Sequence, residues 1–312
     1  MSDLHHEKEA IEARYGPWTA HNIRLAEGLY TISAEPTGDE VKLRRVTQLA
    51  LDVCGGSLGG VRVLDLACLE GMYALEFARR GAEVVAIEGR EANIEKARFA
   101  ARTLELEVDF QLGDVRDLTS ERHGTFDVVL ALGILYHLDA PDLFSLAGRI
   151  AGVCRRALIL DTGVGSAGTE RFLHEGEEYR GVRLVEHAPE STEEERQQAV
   201  WSSLDNLTAV ALTRASLERL LARNGFTSVL EAHVPAEPEK EVDRTTLLAL
   251  RGVAAADLLV PAPPSSSADV PERPSLARRL EASRLRHGAR RVLPRPLRAG
   301  LRRLLGAETR RY

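Results

Sequence analysis

The chain has 312 residues, of which 44% are hydrophobic and 28% charged, a composition typical of a globular protein with one complete α/β core and some additions. It contains no run of about 18 apolar residues, which excludes a membrane-spanning helix, and its charged N-terminus lacks the apolar core of a signal peptide, so we expect a cytoplasmic location. Three scattered cysteines, Cys54, Cys68 and Cys154, are too few for a disulfide framework or a zinc site, and we predict no metal centre.

The net charge of −6 hides a strong asymmetry along the chain. Thirteen arginines and two glutamates lie between Arg273 and Tyr312, which gives this stretch a net charge of +11 and leaves −17 on the first 272 residues. An acidic body disfavours a broad nucleic-acid surface, because binding a phosphate backbone requires clustered cations. Nucleic acid is therefore a less favoured partner than a small molecule.

Residues 61–71 (VRVLDLACLEG) predict the strand, turn and helix start around which the chain is organised. The apolar run VLDL is typical of a central parallel strand that is buried on both faces. Small residues then make a tight turn into a helix, which brings backbone N–H groups to the carboxyl edge of a sheet, where nucleotide-like ligands bind. Seventeen residues past Gly71, Glu88 ends a second apolar run, and a carboxylate at that strand tip is well placed to hold the hydroxyls of a ribose.

Apolar periodicity and turn residues predict alternating strands and helices along the rest of the chain. Strands are predicted at 63–66, 83–87, 108–112, 126–132, 157–161, 228–234 and 245–250. Helices are predicted at 40–53, 73–80, 91–104, from about 139 onward and at 214–223. This alternation indicates a doubly wound parallel sheet of the α/β class over residues 46–252.

Two segments depart from this alternation. Residues 1–45 carry polar–aromatic clusters without a clear period, which favours a lid or substrate-facing segment over a simple helix. An arm that packs on the core through Trp18 and Tyr30 is the alternative. Residues 166–207 insert an acidic stretch and Trp201 at a place that would cover the carboxyl edge of the sheet, and the alternative there is a solvated surface excursion.

The motifs at the predicted strand ends resemble those of the class I S-adenosylmethionine (SAM)-dependent methyltransferases. The run VLDLACLEG is similar to their motif V-L-D-x-G-x-G-x-G, with Ala67 and Leu69 standing where two of its glycines stand. The resemblance covers residues 61–250 and implies a seven-stranded Rossmann-like sheet with SAM as cofactor. The residues that it assigns to SAM are Asp65, Ala67, Gly71, Glu88, Asp114, Val115 and Leu132.

Each of these residues has a role implied by the resemblance. Asp65 and the backbone of the turn that follows it would hold the methionine end, and Glu88 would hold the ribose. Asp114 with Val115 would meet the adenine, and Leu132 would line the floor. For Asp114 a second interpretation is a loop cap or Asx turn, which is common after a strand.

The residues Tyr136 and His137 follow the predicted fourth strand, in GILYHLDAP. Methyl transfer from a sulfonium is an in-line displacement, so the enzyme must align the groups and exclude water. If the acceptor is a hydroxyl, its proton must leave, and a base with a pKa near 7 suits that task. His137 is the candidate base and Tyr136 the candidate residue for orienting the substrate. The alternative is that His137 only hydrogen-bonds the backbone at the strand end.

The resemblance implies an enzyme, and we expect methyl transfer to an oxygen of a small molecule such as a sugar, a phenol or a natural product. The segments GILYHLDAP and RASLERLLARNGF are also similar to the wobble-uridine tRNA methyltransferase-like branch, whose carboxylated-SAM chemistry needs a basic residue to receive the extra carboxylate. A tRNA-modifying enzyme and a catalytically inactive SAM-fold binding protein are therefore alternatives. A nicotinamide-dependent oxidoreductase would share the sheet and Glu88, but it would need the further glycines after the first strand.

The composition changes again near the end of the chain. Residues 253–274 are rich in proline and serine and predict an extended, disordered linker. Residues 275–312 combine leucines with arginines, and Pro294 and Pro296 divide them into two short amphipathic pieces. This pattern suits an anionic membrane surface or an acidic partner, and the alternative is a disordered basic tail without a specific partner.

Overall fold

Helices and strands alternate along most of the computed structural model, which describes residues 2–35, 37, 39–235 and 243–252. In the first part of the chain the elements are α1 (Ser2–Tyr15), β1 (Arg24–Ala26), β2 (Leu29–Tyr30), α2 (Asp39–Val53), β3 (Arg62–Leu66), α3 (Met72–Arg79), β4 (Glu83–Glu88), α4 (Glu91–Thr103), β5 (Asp109–Leu112), α5 (Ser120–His123) and β6 (Phe126–Leu132). The remaining elements are α6 (Ala140–Val153), β7 (Cys154–Gly163), β8 (Glu170–His174), β9 (Glu177–Val185), α7 (Glu193–Gln198), β10 (Thr208–Leu212), α8 (Arg214–Arg223), β11 (Phe226–Glu231) and β12 (Arg244–Arg251). Short 3-10 turns follow β5 and β6, at Val115–Asp117 and Leu135–His137.

Seven of the strands form one twisted sheet in the order β11-β12-β7-β6-β3-β4-β5. The predicted seven-stranded, doubly wound α/β architecture is confirmed. The sheet differs from an all-parallel one in β12, which runs antiparallel between β7 and β11. Only twelve residues separate β11 from β12, the lower limit for a parallel crossover connection, so an antiparallel return is the shorter path.

Alternate side chains of the central strands enter two apolar cores, one on each face of the sheet. Val63 and Val128 pack with the buried residues of α2, α3 and α4. Their neighbours Leu64 and Val129 point to the opposite face, where they pack with α6 and α8. Burial on both faces explains why these strands are nearly continuous apolar runs in the sequence.

The N-terminal segment begins with α1, which packs on α4, and continues into the two-stranded hairpin of β1 and β2. The expectation that this segment contains no simple helix is wrong for residues 2–15. The helix has a weak apolar period because few of its residues, among them Leu4 and Ile11, contact the core. Trp18 is buried against that core and so acts as the predicted anchor.

The insertion at 166–207 contains secondary structure that the sequence did not predict. Its strands β8 and β9 pair with β10 in a three-stranded antiparallel sheet. Phe172 and Tyr179 of this small sheet join the apolar core under α6, so the insertion is anchored rather than loosely attached. A capping box between Thr192 and Glu195 begins the short helix α7, after which the chain turns back toward the main sheet.

The predicted linker, 253–274, and the predicted basic tail, 275–312, lie outside the described residues. Within the part of the chain that is described, none of the helices combines the length and the apolar character needed to cross a membrane.

Candidate active site

The turn after β3 has an unusual backbone for its residues. Ala67 and Leu69 have φ values of 54° and 47°, in the left-handed region that favours glycine, and Gly71 has φ 81°. The first two are the positions at which the resembled motif has glycines, so the turn keeps its shape with larger residues. A left-handed non-glycine residue costs on the order of 1 kcal/mol, and such strain is concentrated at functional sites.

Glu88 ends β4 beside this turn with its carboxylate almost fully buried. One carboxylate oxygen accepts a hydrogen bond from the backbone N–H of Leu69 at 3.0 Å. The other accepts from the backbone N–H of Arg90 at 2.9 Å and from the side-chain amide of Asn93 at 3.3 Å. Burial raises the pKa of Glu88, although these donors act in the opposite direction. The carboxylate therefore has a fixed orientation and keeps part of its acceptor capacity.

A cavity of about 310 Å³ opens at the carboxyl edge of the sheet, within the size range of small-ligand sites. The predicted site residues that line it are Ala67, Glu88, Asp114, Val115, Leu132, Tyr136 and His137. Further walls come from outside the central strands: His21 of the N-terminal segment, Lys42 of α2, residues 200–206 of the insertion, and Arg244 at the start of β12. One cavity thus joins most of the predicted cofactor residues to both predicted catalytic residues.

Two of the predicted residues, Asp65 and Gly71, do not line this cavity. Asp65 lies buried in β3, where burial raises the pKa of its carboxyl to about 8, and its Oδ2 atom has no hydrogen-bond partner. Gly71 precedes α3, and a Cβ there would lie 3.0 Å from the side chains of Ala97 and Phe110. The glycine is therefore required for close packing of the turn against α4 and β5.

Asp114 lines the cavity and also caps the 3-10 turn that follows it. Its side chain accepts from the backbone N–H of Arg116 at 2.8 Å and from the guanidinium of the same residue at 2.6 and 2.9 Å. This is the cap that the sequence left as an alternative. The same guanidinium reaches Asp205 of the insertion at 2.7 Å, so Arg116 joins the cavity wall to the residues above it.

Two further residues of the cavity wall, Tyr136 and His137, are each held by a charged residue. The Tyr136 hydroxyl accepts a hydrogen bond from Arg244 at 3.0 Å, and Arg244 also donates to the buried carboxylate of Asp161 at 2.6 Å. Lys42 lies 4.0 Å from the same Asp161 carboxylate. The Nδ1 atom of His137 lies 3.0 Å from a carboxylate oxygen of Glu186. The alternative in which His137 bonds only the backbone is therefore wrong.

Residues 199–206 cover the cavity and are held down by the guanidinium of Arg90. It donates hydrogen bonds to the backbone carbonyls of residues 196, 197, 199, 202 and 203 at 2.9–3.3 Å. Leu204 fits so closely against Gly89 that a Cβ at this glycine would lie 2.3 Å from it. Trp201 is 65% exposed at the cavity mouth. These contacts agree with the interpretation of the insertion as a cover over the sheet edge.

The N-terminal segment reaches the cavity through a buried ion pair. Glu70 of the turn accepts a 2.8 Å hydrogen bond from Lys96 of α4 and further bonds from the backbone N–H groups of residues 19, 20 and 21. His21, held in this way, accepts from the backbone N–H of Met72 through its Nδ1 atom, and burial lowers the pKa of His21 to about 4. The ring is therefore neutral at pH 7.

The comparison with protein families identifies the central part of the chain. Residues 63–157 match the family model described as a methyltransferase domain. This part of the chain is therefore similar to a methyltransferase domain. The ubiquinone biosynthesis O-methyltransferase of Alkalilimnicola ehrlichii is 36% identical over 110 residues, which are 34% of this chain and 44% of that protein. That of Maricaulis maris is 36% identical over 85 residues, 27% of this chain and 34% of that protein.

Among solved structures, the N-terminal domain of EvdMO1 was crystallised in the presence of SAH (S-adenosylhomocysteine) and D-fucose. Its alignment with this protein covers 80% of this chain and 97% of that domain. Its TM-score is 0.62 at 23% sequence identity, which supports the fold of the methyltransferase domain and its additions. The matches to the two curated O-methyltransferases span less than half the length of those proteins.

Several residues around the methyltransferase domain were missed by sequence reasoning. They are His21, Lys42, Glu70, Arg90, Lys96, Glu186 and Arg244. Arg90 follows the strand-tip glutamate by two residues, and its position alone could have drawn attention to it. His21 lies in the N-terminal segment and Glu70 in the turn after β3. The others lie in helices, in the insertion or in the last strand, and nothing in their local sequence distinguishes them from surface charges.

Proposed function

We propose that this protein binds SAM and transfers its methyl group to an oxygen of a small molecule, with sugars, phenols and natural products as the acceptor classes. The observation that carries this proposal is the shared cavity, in which the fixed carboxylate of Glu88 and the ring of His137 both form part of the wall. The names of the relatives support an oxygen acceptor, and the presence of D-fucose with the EvdMO1 domain supports the inclusion of sugars.

The residues around the turn fit the hydrogen-bonding groups of the cofactor. Glu88 retains acceptor capacity for a ribose hydroxyl. Asp65 does not line the cavity, so it would act on the methionine end through the turn that follows it. Ala67 and Gly71 would present backbone groups to the methionine end, Asp114 and Val115 would meet the adenine, and Leu132 would line the floor. When bound, SAM supplies a methyl group activated by a positively charged sulfur.

The protein's part in the transfer is to orient the acceptor, exclude water and remove a proton. The hydroxyl proton of the acceptor would pass to the Nε2 atom of His137, the ring nitrogen that does not contact Glu186. Tyr136, held by Arg244, would orient the acceptor through its hydroxyl. Residues 199–206 would keep water from the reacting groups, since their backbone closes over the cavity.

Calorimetric titration of the full chain with SAM tests the cofactor assignment. Glu88→Ala should weaken SAM binding by about 1–3 kcal/mol, the scale for a lost hydrogen bond to a buried charged group. Glu83→Ala is the matched control, because Glu83 lies at the other end of β4 with a 69% exposed side chain, and it should leave the affinity unchanged. Equal SAM affinity in the Glu88→Ala variant and the wild type would refute the ribose role.

Formation of S-adenosylhomocysteine in the presence of a panel of sugars and phenols tests the reaction. We expect product with at least one hydroxylated acceptor and loss of product in His137→Ala at unchanged SAM affinity. SAM binding without any product across the panel and a cell extract would instead favour the catalytically inactive SAM-binding alternative.

A second candidate function is the tRNA wobble-uridine modification, and one specific observation favours it. That branch needs a basic residue to receive the carboxylate of carboxylated SAM, and Lys42 and Arg244 both line the cavity beside Tyr136. Both cations lie near the buried carboxylate of Asp161, Lys42 at 4.0 Å and Arg244 at 2.6 Å. Tighter binding of carboxylated SAM than of SAM, with ribonuclease-sensitive transfer to bulk tRNA, would support this candidate over the small-molecule enzyme.

A further inference from the structure

We propose that Glu186, directly after β9 in the insertion, is the positioning residue for His137, and that it joins the imidazole to residues 199–206, which cover the cavity. This inference rests on the proposed function, because it assigns a partner to the base of the methyl transfer. Glu186 does not line the cavity, so it acts on the acceptor through His137.

Glu186 and His137 lie within hydrogen-bond distance of each other. The Nδ1 atom of His137 lies 3.0 and 3.1 Å from the two carboxylate oxygens of Glu186. An ionised carboxylate only accepts hydrogen bonds, so the proton of the neutral imidazole must be on Nδ1. The lone pair is then on Nε2, the nitrogen that a base needs toward its substrate. The Glu186 side chain is 6% exposed and that of His137 19%, so water competes little for this contact.

The Glu186 carboxylate also contacts residues 199–206, here called the cover. Glu186 also accepts a 2.7 Å hydrogen bond from the backbone N–H of Ser203, which belongs to the cavity-lining part of the cover. His187 contacts the carbonyl of the same serine through Nε2 at 2.8 Å. Asn206 donates to the backbone carbonyl of His137 at 3.0 Å. The cover and the base therefore share one carboxylate and are tied together on both sides of it.

Other charged groups near His137 already have partners. Asp139 pairs with Arg183 at 2.9 Å, Asp161 with Arg244, and Asp205 with Arg116. The Tyr136 ring lies against the imidazole, 4.3 Å between centroids, and Lys42 faces the same cavity. Among the described residues Glu186 is the carboxylate that contacts the His137 ring. Burial by itself would raise the pKa of Glu186, but the hydrogen bond and charge of His137 and the Ser203 amide lower it, so the carboxylate is ionised at neutral pH.

In the proposed reaction the acceptor O–H bond breaks, its proton goes to Nε2 of His137, and the acceptor oxygen forms the bond to the methyl carbon. The carbon–sulfur bond breaks with its electron pair going to sulfur, and neutral S-adenosylhomocysteine leaves. The imidazolium formed in this step lies beside Glu186, which stabilises its positive charge until the proton passes to solvent.

The ring signals of His137 in the full-length protein test the pairing without any acceptor. Isotope-labelled histidine gives the ring nitrogen shifts of His137, with His137→Ala for assignment. Glu186→Gln should change these shifts from those of an Nδ1–H tautomer to those of a mixture of both tautomers, because the charge-assisted hydrogen bond at Nδ1 is lost. Glu186→Asp should give a smaller change, and Glu190→Gln, an exposed carboxylate of the same insertion, should give none.

Ring nitrogen shifts of His137 that stay those of the wild type in both Glu186→Gln and Glu186→Asp would overturn the pairing. If Glu186→Gln does not fold, the decision passes to Glu186→Asp, for which unchanged nitrogen shifts of His137 count against the proposal. With an acceptor from the panel, Glu186→Gln should lower kcat more than tenfold at unchanged KM for SAM. Product formation, with His137 nitrogen shifts and a kcat that do not change in the Glu186 variants, would refute this inference alone. Nitrogen shifts that change in those variants, without any product, would refute only the methyl transfer.

Discussion

Replacement of Lys96 by methionine tests how the N-terminal segment is attached to the turn. Lys96 and Glu70 are both almost fully buried, and their side chains meet at 2.8 Å. The carboxylate also accepts from Thr19, both backbone and hydroxyl, and from the backbone of Ala20 and His21. Methionine keeps most of the volume of the lysine stem but leaves Glu70 as a buried charge without a counter-ion.

The expected loss of stability follows from burial rather than from the distance between the charges. Removing one partner of a buried ion pair costs about 3–5 kcal/mol, because the remaining charge stays out of water. Lys8 and Glu12 of α1 form a pair with the same 2.8 Å separation, but their side chains are 18% and 27% exposed. For such a surface pair the cost is about 0–1 kcal/mol. Lys8→Met is therefore the matched control.

Urea unfolding of the three proteins, followed by far-ultraviolet circular dichroism, measures both costs. The pH dependence gives a second check. Although burial alone would raise the pKa of Glu70, Lys96 and the backbone donors lower it below its ordinary 4.5. A lowered pKa contributes stability above about pH 4.5 that is lost as the pH falls, so the difference between Lys96→Met and the wild type should shrink in acid. A loss below about 1 kcal/mol at pH 7, or one equal to that of Lys8→Met, would contradict the reasoning.

Two further predictions concern Asp65 and the basic tail. Burial raises the pKa of Asp65 to about 8, so the folded protein keeps a proton on this carboxyl that the unfolded chain has already lost. The folded state therefore loses stability as the pH rises toward 8. The free energy of unfolding of Asp65→Asn, measured in urea, should therefore rise relative to that of the wild type by about 1.4 kcal/mol per pH unit between pH 6 and 8. If the two free energies have the same pH dependence, the assignment is contradicted. Deletion of residues 261–312 should leave SAM affinity unchanged and abolish salt-sensitive sedimentation with anionic vesicles. Equal sedimentation of both proteins would exclude the tail as a membrane anchor.

The parts of the fold that the sequence predicted are those in which local pattern and burial agree. The strand 126–132 was predicted to the residue, because a run such as FDVVLAL is apolar on both faces and has few alternative structures. The sequence does not predict the strand β9, EEYRGVRLV, because four of its nine residues are charged and it contains no continuous apolar run. The strand belongs to a small separate sheet. α1 was missed for a related reason, since it contacts the core at few positions.

The candidate site likewise contains residues that the sequence predicts and residues that it does not. Glu88 and His137 could be predicted because they follow apolar strands directly, where the topology carries any side chain to the sheet edge. Glu186 lies 49 residues from His137 along the chain, and Lys96 lies 26 residues from Glu70. Such pairs depend on how separate elements pack, and a lysine in an amphipathic helix looks the same whether it is buried or exposed.

Several charged residues around Tyr136 and His137 lie outside the part of the chain that the family model matches. The matched methyltransferase domain, 63–157, contains Glu88 and His137, whereas Lys42 precedes it and Glu186 and Arg244 follow it. The additions thus form part of the cavity wall, with Leu204 beside Gly89 as well as Arg244 beside Tyr136. Acceptor choice should therefore depend on the additions. Because Lys42 and Arg244 bring two cations to the wall, hydroxylated compounds that also carry an anionic group belong first in the acceptor panel.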